Sequence, residues 1–248
     1  MEAKPMAWLL LAIGCIGGWP LAAQAAEIRV AFATTLEPFV FARTHGGIEV
    51  EIVRSVLQRL GHTLEPVYVP NARVSHLFER RQVDAAATSL QEQGASGFFS
   101  EPYIVFQNIA VTLAERKLRL DSIADMAGLK VVAFQKAGSY LGDEFHRMAQ
   151  RNPKYREIAD HLGQARLLYR GGADVIVIER HVFDYQNKIL GVARYPESVR
   201  QVHIHPLFPP TPYRMRFHDK ALRDAFDLEL ATVTRLGIPE AIARKYGY

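Results

Sequence analysis

Residues 28–89 read IRVAFATTLEPFVFARTHGGIEVEIVRSVLQRLGHTLEPVYVPNARVSHLFERRQVDAAATS, and the order of their apolar patterns sets the fold class. Ile28 to Ala33 suits a short buried strand, broken by Leu36-Glu37-Pro38-Phe39. After Gly46-Gly47, residues Val50, Val53, Val56, Leu57 and Leu60 fall at helical spacing, and Gly61 stops the helix. Leu64 to Val69 reads as a strand ended by Pro70. Asn71 can cap a helix whose apolar face is Val74, Leu77 and Phe78. Val83 to Ala87 is a strand ending at Thr88-Ser89. Strand, helix, strand, helix, strand is the pattern of a parallel sheet with helices on its faces.

A second α/β unit follows. Ser122-x-x-Asp125 has capping-box form, and Lys130 to Phe134 is a strand. Gly138-Ser139 leads into a helix from about Tyr140 to Arg151, and Ile158, Ala159, Leu162, Ala165 and Leu168 mark another. Val175-Ile176-Val177-Ile178 is β-branched on both faces, so it is read as a strand buried on both sides. Pro206, Pro209, Pro210 and Pro212 mark an extended return, followed by a long helix through Leu222, Phe226, Leu230 and Val233. Two such units predict two lobes. A (β/α)₈ barrel needs more strands than the chain offers.

Upstream, Met1 to Ala26 reads as an export signal. It has Lys4, an uncharged apolar run from Met6 to Ile16, and Ala23-Gln24-Ala25 at the cleavage position. A retained anchor and lipidation at Cys15 are the alternatives. Cleavage near Ala25 removes the only cysteine, which suits an oxidising compartment, the bacterial periplasm. The 248 residues are 49% hydrophobic and 23% charged, which excludes a disordered or polytopic membrane chain. The net charge of +4 is not gathered into runs, so no nucleic-acid partner is expected.

Enzyme and cofactor motifs are missing. There is no phosphate loop, no G-x-G-x-x-G and no H-E-x-x-H, so neither cofactor nor metal is expected. His203-Ile204-His205 puts two imidazoles on one strand face without an evident third ligand. Glu37, Glu101 and Glu179 stand near predicted strand ends, where open α/β sheets bind ligands; a solvated loop acid is the alternative for each. Gly138 and Ser139 open a helix whose start would suit a carboxylate, and Ser139 reads equally as its N-cap. Thr88 and Ser89 hold the corresponding place in the first unit.

Seven short matches then occur in order. Gly47-Ile48-Glu49-Val50-Glu51-Ile52 looks like G-F-D-V-D-L, and Leu60-Gly61 like the L-G that ends that helix. Val83-Asp84-Ala85, Phe99-Ser100-Glu101-Pro102-Tyr103, Asp125 to Val132, Ala173-Asp174-Val175-Ile176 and Lys245-Tyr246-Gly247 complete the set. From about Glu27 to Tyr248 the chain resembles the family 3 extracellular solute-binding proteins of bacterial ABC transporters. The resemblance implies the type II periplasmic-binding fold: two α/β lobes, each a mostly parallel sheet flanked by helices, on a two-strand hinge. Lobe 1 would be 26–111 with 207–248, lobe 2 would be 112–206, and 1–25 the signal peptide. Hinge strands are expected near Ile109 to Leu113 and His203 to Leu207.

By resemblance, Phe39 packs on the ligand, Ser139 and its neighbours Gly138 and Tyr140 form the second-lobe helix start, and Glu179 holds an ammonium. Amino-acid binders of the family carry an arginine where this chain has Gln93, and an amide does not replace a guanidinium in gripping a carboxylate. Arg73 is the candidate replacement, or a surface arginine. The leading expectation is a monomeric periplasmic binder of a small polar solute, serving an ABC permease and without catalysis. An accessory or sensor protein comes second. A cleft enzyme of the cyclohexadienyl dehydratase type comes third, with Glu179 as its acid or base.

Overall fold

The computed structural model describes residues 26–34, 36–91, 95–192 and 200–248. The predicted export segment, including Cys15, and Gln93 lie outside the described residues. The first elements are β1 (Glu27–Ala33), α1 (Ile48–Arg59), β2 (Thr63–Val69), α2 (Asn71–Glu79), β3 (Ala85–Ser89), β4 (Phe98–Phe106) and β5 (Asn108–Leu113). Two 3₁₀ turns, Ala114–Arg116 and Ile123–Met126, lead into β6 (Val131–Phe134), α3 (Ala137–Tyr140), α4 (Gly142–Arg151) and β7 (Arg156–Ile158). Then come α5 (His161–Tyr169), β8 (Val175–Glu179), α6 (Arg180–Val192), β9 (Val202–His205), β10 (Thr211–Phe217), α7 (Lys220–Arg235) and α8 (Ile238–Lys245).

Ten strands make two sheets of the same plan, β2-β1-β3-β10-β4 and β7-β6-β8-β5-β9. In the first, β1 pairs in parallel with β2 and β3, while β10 runs against β3 and β4. In the second, β6 pairs in parallel with β7 and β8, while β5 runs against β8 and β9. One strand per sheet is therefore reversed, and it is the one that supplies both antiparallel pairings. The fold class expected from sequence, α/β in two lobes with largely co-directed strands, is the one observed.

Both sheets use one device to start their parallel ladders. The Asp84 carboxylate accepts from Arg29 N–H at 2.8 Å, and Asp84 N–H donates to Arg29 O. The Asp174 carboxylate accepts from Lys130 N–H at 2.9 Å, and Asp174 N–H donates to Lys130 O. Each aspartate thus satisfies the first backbone groups of the neighbouring strand, which is the physical content of the Asp84-Ala85 and Asp174-Val175 pairs. β8 is buried along its whole length, as its β-branched run requires. Ile176 and Ile178 join a core shared with the first sheet, while Val175 and Val177 pack with Phe145 and Met126 on the other face.

The other matched motifs also have structural work. Glu51 in the first turn of α1 accepts hydrogen bonds from Lys245 Nζ and from Tyr246 Oη, so the chain end is fastened to the helix start. Ser100 Oγ accepts from Met215 N–H at 2.9 Å, locking β4 onto β10. Gly47 has φ +110°, and its N–H donates to Tyr246 Oη. A Cβ there would sit 2.3 Å from Phe39 O, because Ile48 and Glu49 bond back to Pro38 O and Phe39 O.

Several sequence expectations are corrected. The helix expected from Ile158 begins at His161, because Arg156–Ile158 pairs with β6 and the Asp160 carboxylate caps the helix through Gly163 N–H. The helix expected over 140–151 is broken at Gly142, φ +86°. Asn71 is the first helical residue after Pro70 rather than the cap. The proline-rich return, expected only as extended chain, contains the strand β10, which lies inside the first sheet. Helix α6 was not anticipated. The sheets change at Gln107, between β4 and β5, and again within 206–210, so Ile109 to Leu113 belongs wholly to the second sheet.

Gly47 and Gly61 separate two kinds of glycine. Gly61 also has positive φ, +79°, but a Cβ there meets nothing within 4 Å. In urea unfolding, Gly61→Ala should cost about 1 kcal/mol, while Gly47→Ala should cost about 3 kcal/mol or more because backbone must move as well.

Candidate functional site

The carboxyl ends of β1, β3, β4, β6 and β8, and the turns after β1, β6 and β7, converge on one cleft between the sheets. From the first sheet and its connections come Ala33, Thr34, Leu36, Asn71, Thr88, Phe106 and Tyr213. From the second come Asn108, Phe134, Gln135, Tyr140, Ala159, His161 and Glu179. The space between the walls, its open mouth included, is about 570 Å³. Asn71 Nδ2 donates to Gln135 O at 3.2 Å and so links the two walls. Phe106 lies 4.9 Å and Tyr140 6.3 Å from Tyr213, ring centre to ring centre, giving the cleft an aromatic lining.

Beneath Thr88 lies a buried acid. Glu49, from the first turn of α1, is wholly buried. Its Oε1 accepts from Thr88 Oγ1 at 2.6 Å and from Tyr103 Oη. Thr88 N–H donates to Tyr103 Oη at 3.0 Å, and Thr88 has φ +47°. Burial pushes the Glu49 carboxyl above its ordinary value, against the hydrogen bonds that favour the anion. Burial, and then the nearby Glu49, push Tyr103 up as well, so it remains a donor. The network fixes the backbone of Thr88 at the cleft wall.

On the opposite wall, Glu179 is only 4% exposed and caps α6: its Oε2 accepts from Val182 N–H at 2.9 Å. Its Oε1 lies 3.1 Å from His181 Nδ1 and 3.4 Å from Gln107 N. The hydrogen bond to Glu179 raises the His181 imidazole above its ordinary 6.5, against the effect of burial. His181 stands edge-on to Phe39 and to Tyr248, rings from the first-sheet side, at 5.8 and 4.7 Å. His161, at the start of α5, is buried with Nδ1 3.3 Å from Gln164 Oε1, and burial lowers its pKa.

Of the residues singled out in the sequence, Thr88, Tyr140 and Glu179 line this cleft. Phe39 stands behind it, its ring 4.4 Å from that of Phe106. Glu37 lines a neighbouring cavity with Asp160, His161 and Tyr185, and burial there raises its pKa. Ser89 Oγ bonds back to carbonyls of its own strand, Ala87 O at 3.3 Å and Ala86 O at 3.4 Å. Arg73 is exposed on α2 and Ser139 is exposed on α3; neither is among the lining residues. The helix at Gly138 starts at Ala137 after a left-handed Lys136, so Ser139 is not its N-cap. The Glu157 carboxylate meets that helix start, accepting from Lys136 N–H at 2.7 Å and Gly138 N–H at 2.9 Å. Glu101 is an exposed mid-strand residue. His203 and His205 lie 6.4 Å apart with His205 on Thr112, and no group of three metal-binding side chains exists among the described residues.

Sequence reasoning missed Asn71 as a wall residue, and Phe106, Asn108, Phe134, Gln135, His161 and Tyr213 altogether. Phe134 ends, and Gln135 follows, a strand that was recognised, so the strand-end rule would have found them. Phe106 and Tyr213 belong to strands that were not, and Asn108 stands just before the stretch expected as a hinge strand.

Two half-matched sheets joined by two crossings, with a cleft at their facing strand ends, define a two-lobed α/β binding protein. Residues 28–248 match the model for bacterial extracellular solute-binding proteins, family 3, and the chain belongs to that family. No curated protein sequence gives a significant match. Among solved structures, the chain is similar to a histidine kinase sensor domain resembling periplasmic binding proteins, at 19% identity and TM-score 0.75, covering 89% of this chain and 96% of that one. It is similar to the arginine-, lysine-, histidine-binding protein ArtJ of Geobacillus stearothermophilus, at 16% identity and TM-score 0.71, covering 89% and 95%. It is also similar to the ancestral amino acid-binding protein AncCDT-1, a precursor of cyclohexadienyl dehydratase, at 18% identity and TM-score 0.68, covering 90% and 96%. Among the described residues, no helix is long and apolar enough to cross a membrane.

Two measurements test the electrostatics. Glu49→Gln should preserve the fold at pH 7, whereas Glu49→Leu, which strands Thr88 Oγ1 and Tyr103 Oη, should cost about 2–4 kcal/mol in unfolding experiments. The folded state holds the Glu49 proton after the unfolded chain has released it. Wild type should therefore lose stability against Glu49→Gln as pH rises from the ordinary carboxyl value of 4.5 through the folded one. For His181, whose folded value is raised, the stabilisation is complete below 6.5 and lost as pH rises through the folded value. The melting temperatures of wild type and His181→Gln should therefore differ most at low pH and converge in alkali, and ring NMR should place His161 below 6.5 and His181 above it.

Proposed function

We propose that the chain is an exported solute-binding protein that holds a small polar solute between its lobes and passes it to an ABC importer. The observation that carries this reading is a cleft lined from strand ends of both sheets. A solute touching both walls favours the closed arrangement over an open one by its differential contacts. The lobes are taken as the two sheets with their helices, dividing at Gln107 and within 206–210. Thr88, Tyr140 and Glu179 are the recognition residues proposed from sequence, joined by Asn71, Asn108, Gln135 and Tyr213 from the cleft. Periplasmic location, a monomeric state and peripheral contact with an inner-membrane permease complete the reading, supported by the family and by the export-like start of the chain.

A sensor role is the second reading, favoured by the likeness to a kinase sensor domain. It keeps the solute and replaces the permease by a signalling partner.

A thermal-shift panel of amino acids, polyamines, small carboxylates, amides, sugars and prephenate tests the proposal on protein stripped of carried-over solute by unfolding and refolding. A ligand of the folded form at a hundredfold excess over its Kd should stabilise by about 2.7 kcal/mol. X-ray scattering should show contraction with the same solute. A flat panel without contraction overturns solute binding, and turnover of prephenate overturns the non-catalytic reading.

A further inference from the structure

The cleft described above contains two buried polar atoms whose needs are opposite. Asn108 is 2% exposed and lines the cleft, and its Nδ2 donor has no hydrogen-bond partner. Gln135 lines the same second-sheet wall, and its Oε1 acceptor is buried without a partner. Orphaned buried amide atoms cost free energy unless a ligand satisfies them. One of these asks for an acceptor and the other for a donor. We propose that the solute is a neutral amide, such as a carboxamide, lactam or ureide carrying a flat face, and not a free carboxylic acid. This deepens the solute-binding reading and rests on it.

Three independent features point the same way. First, no Lys or Arg is among the lining residues, so the described cleft offers no fixed cation to a buried carboxylate. Lys136, next to the lining, has its ammonium 5.8 Å from the centre of the Tyr140 ring. The one lining acid, Glu179, would repel an anion. His161 is held neutral by its burial and adds no positive charge. Second, the backbone donors at the start of α3, Lys136 and Gly138 N–H, already carry the Glu157 carboxylate, which Tyr155 Oη steadies at 2.7 Å. The anion that a helix start would recruit is built into the chain. Third, Phe106, Phe134, Tyr140 and Tyr213 give the cleft flat apolar walls.

The chemistry discriminates between classes. A carboxylate has acceptors only and would leave Gln135 Oε1 unmet. An ammonium has donors only and would leave Asn108 Nδ2 unmet; a zwitterion carries both kinds of group, but its carboxylate would find no Lys or Arg among the lining residues. An amide supplies both kinds of group, a carbonyl acceptor and an N–H donor, without net charge, and its ring or substituent suits the aromatic walls.

Matched pairs test this on the refolded full chain by calorimetry: nicotinamide against nicotinate, benzamide against benzoate, and uracil against orotate. The amino acids and polyamines of the wider panel are run beside them. At least one amide should bind, with its carboxylate partner at least about tenfold weaker. Asn108→Leu and Gln135→Leu should each lower amide affinity about tenfold or more, while the unliganded melting temperature holds or rises because an orphan is removed. Asn108→Asp and Gln135→Met serve if either leucine variant fails to fold. Binding of an amino acid or another carboxylate, or of an amine alone, overturns the amide class and leaves solute binding standing. Unchanged amide affinity in the variants also overturns it. No binding by any compound overturns both readings.

Discussion

Gln107 is the single residue between β4 of the first sheet and β5, the first strand of the second. Its Nε2 donates to Phe208 O at 2.8 Å, on the second crossing, and to Asn108 O at 3.1 Å. One side chain therefore ties the two inter-sheet connections together. With so short a link, β5 must leave directly from the end of β4, and the strand ends of the two sheets are brought face to face. The cleft, the reversed strand of the second sheet and the placement of Asn108 beside Glu179 all follow from that constraint. The Glu179 carboxylate approaches Gln107 N–H, so the wall of the site and the connection between sheets share one group.

The fold was legible where burial is uniform along an element. β8 is apolar on both faces, and α1 repeats its apolar residues at helical spacing, so each announces itself locally. β10 does not, because prolines precede and enter it and Arg214 and Arg216 alternate with buried residues. Arg216 is buried only because it stacks 4.3 Å from the Phe78 ring and pairs with Glu79, partners more than a hundred residues away. β7 has three residues, too few for a period, and its last residue continues the apolar spacing of α5. Within the site, Thr88 and Glu179 were visible because they end strands that were visible. Glu49 was quoted as part of a motif, but its burial depends on Tyr103 and Thr88, contacts that no local pattern encodes.

Carboxylates recur as internal partners of the main chain. Asp84 and Asp174 start the parallel ladders, Asp160 and Asp219 cap α5 and α7, Glu179 caps α6, and Glu157 fills the start of α3. Orphan N–H groups at element starts attract anions in general. Here the chain supplies those anions, which stiffens the frame and leaves amides and aromatic rings prominent among the residues that line the cleft.

The central place of β10 has a consequence for assembly. All five strands of the second sheet lie in one continuous stretch, from Asn108 to His205, so that sheet can close as soon as its own segment is free. The first sheet cannot, because the strand that joins β3 to β4 is the last one in the chain. Until that strand arrives, β3 and β4 have unpaired edges, the kind of surface that aggregates or is held open. Vectorial release of the chain, amino end first, would thus delay completion of the first sheet until the segment carrying β10 had emerged.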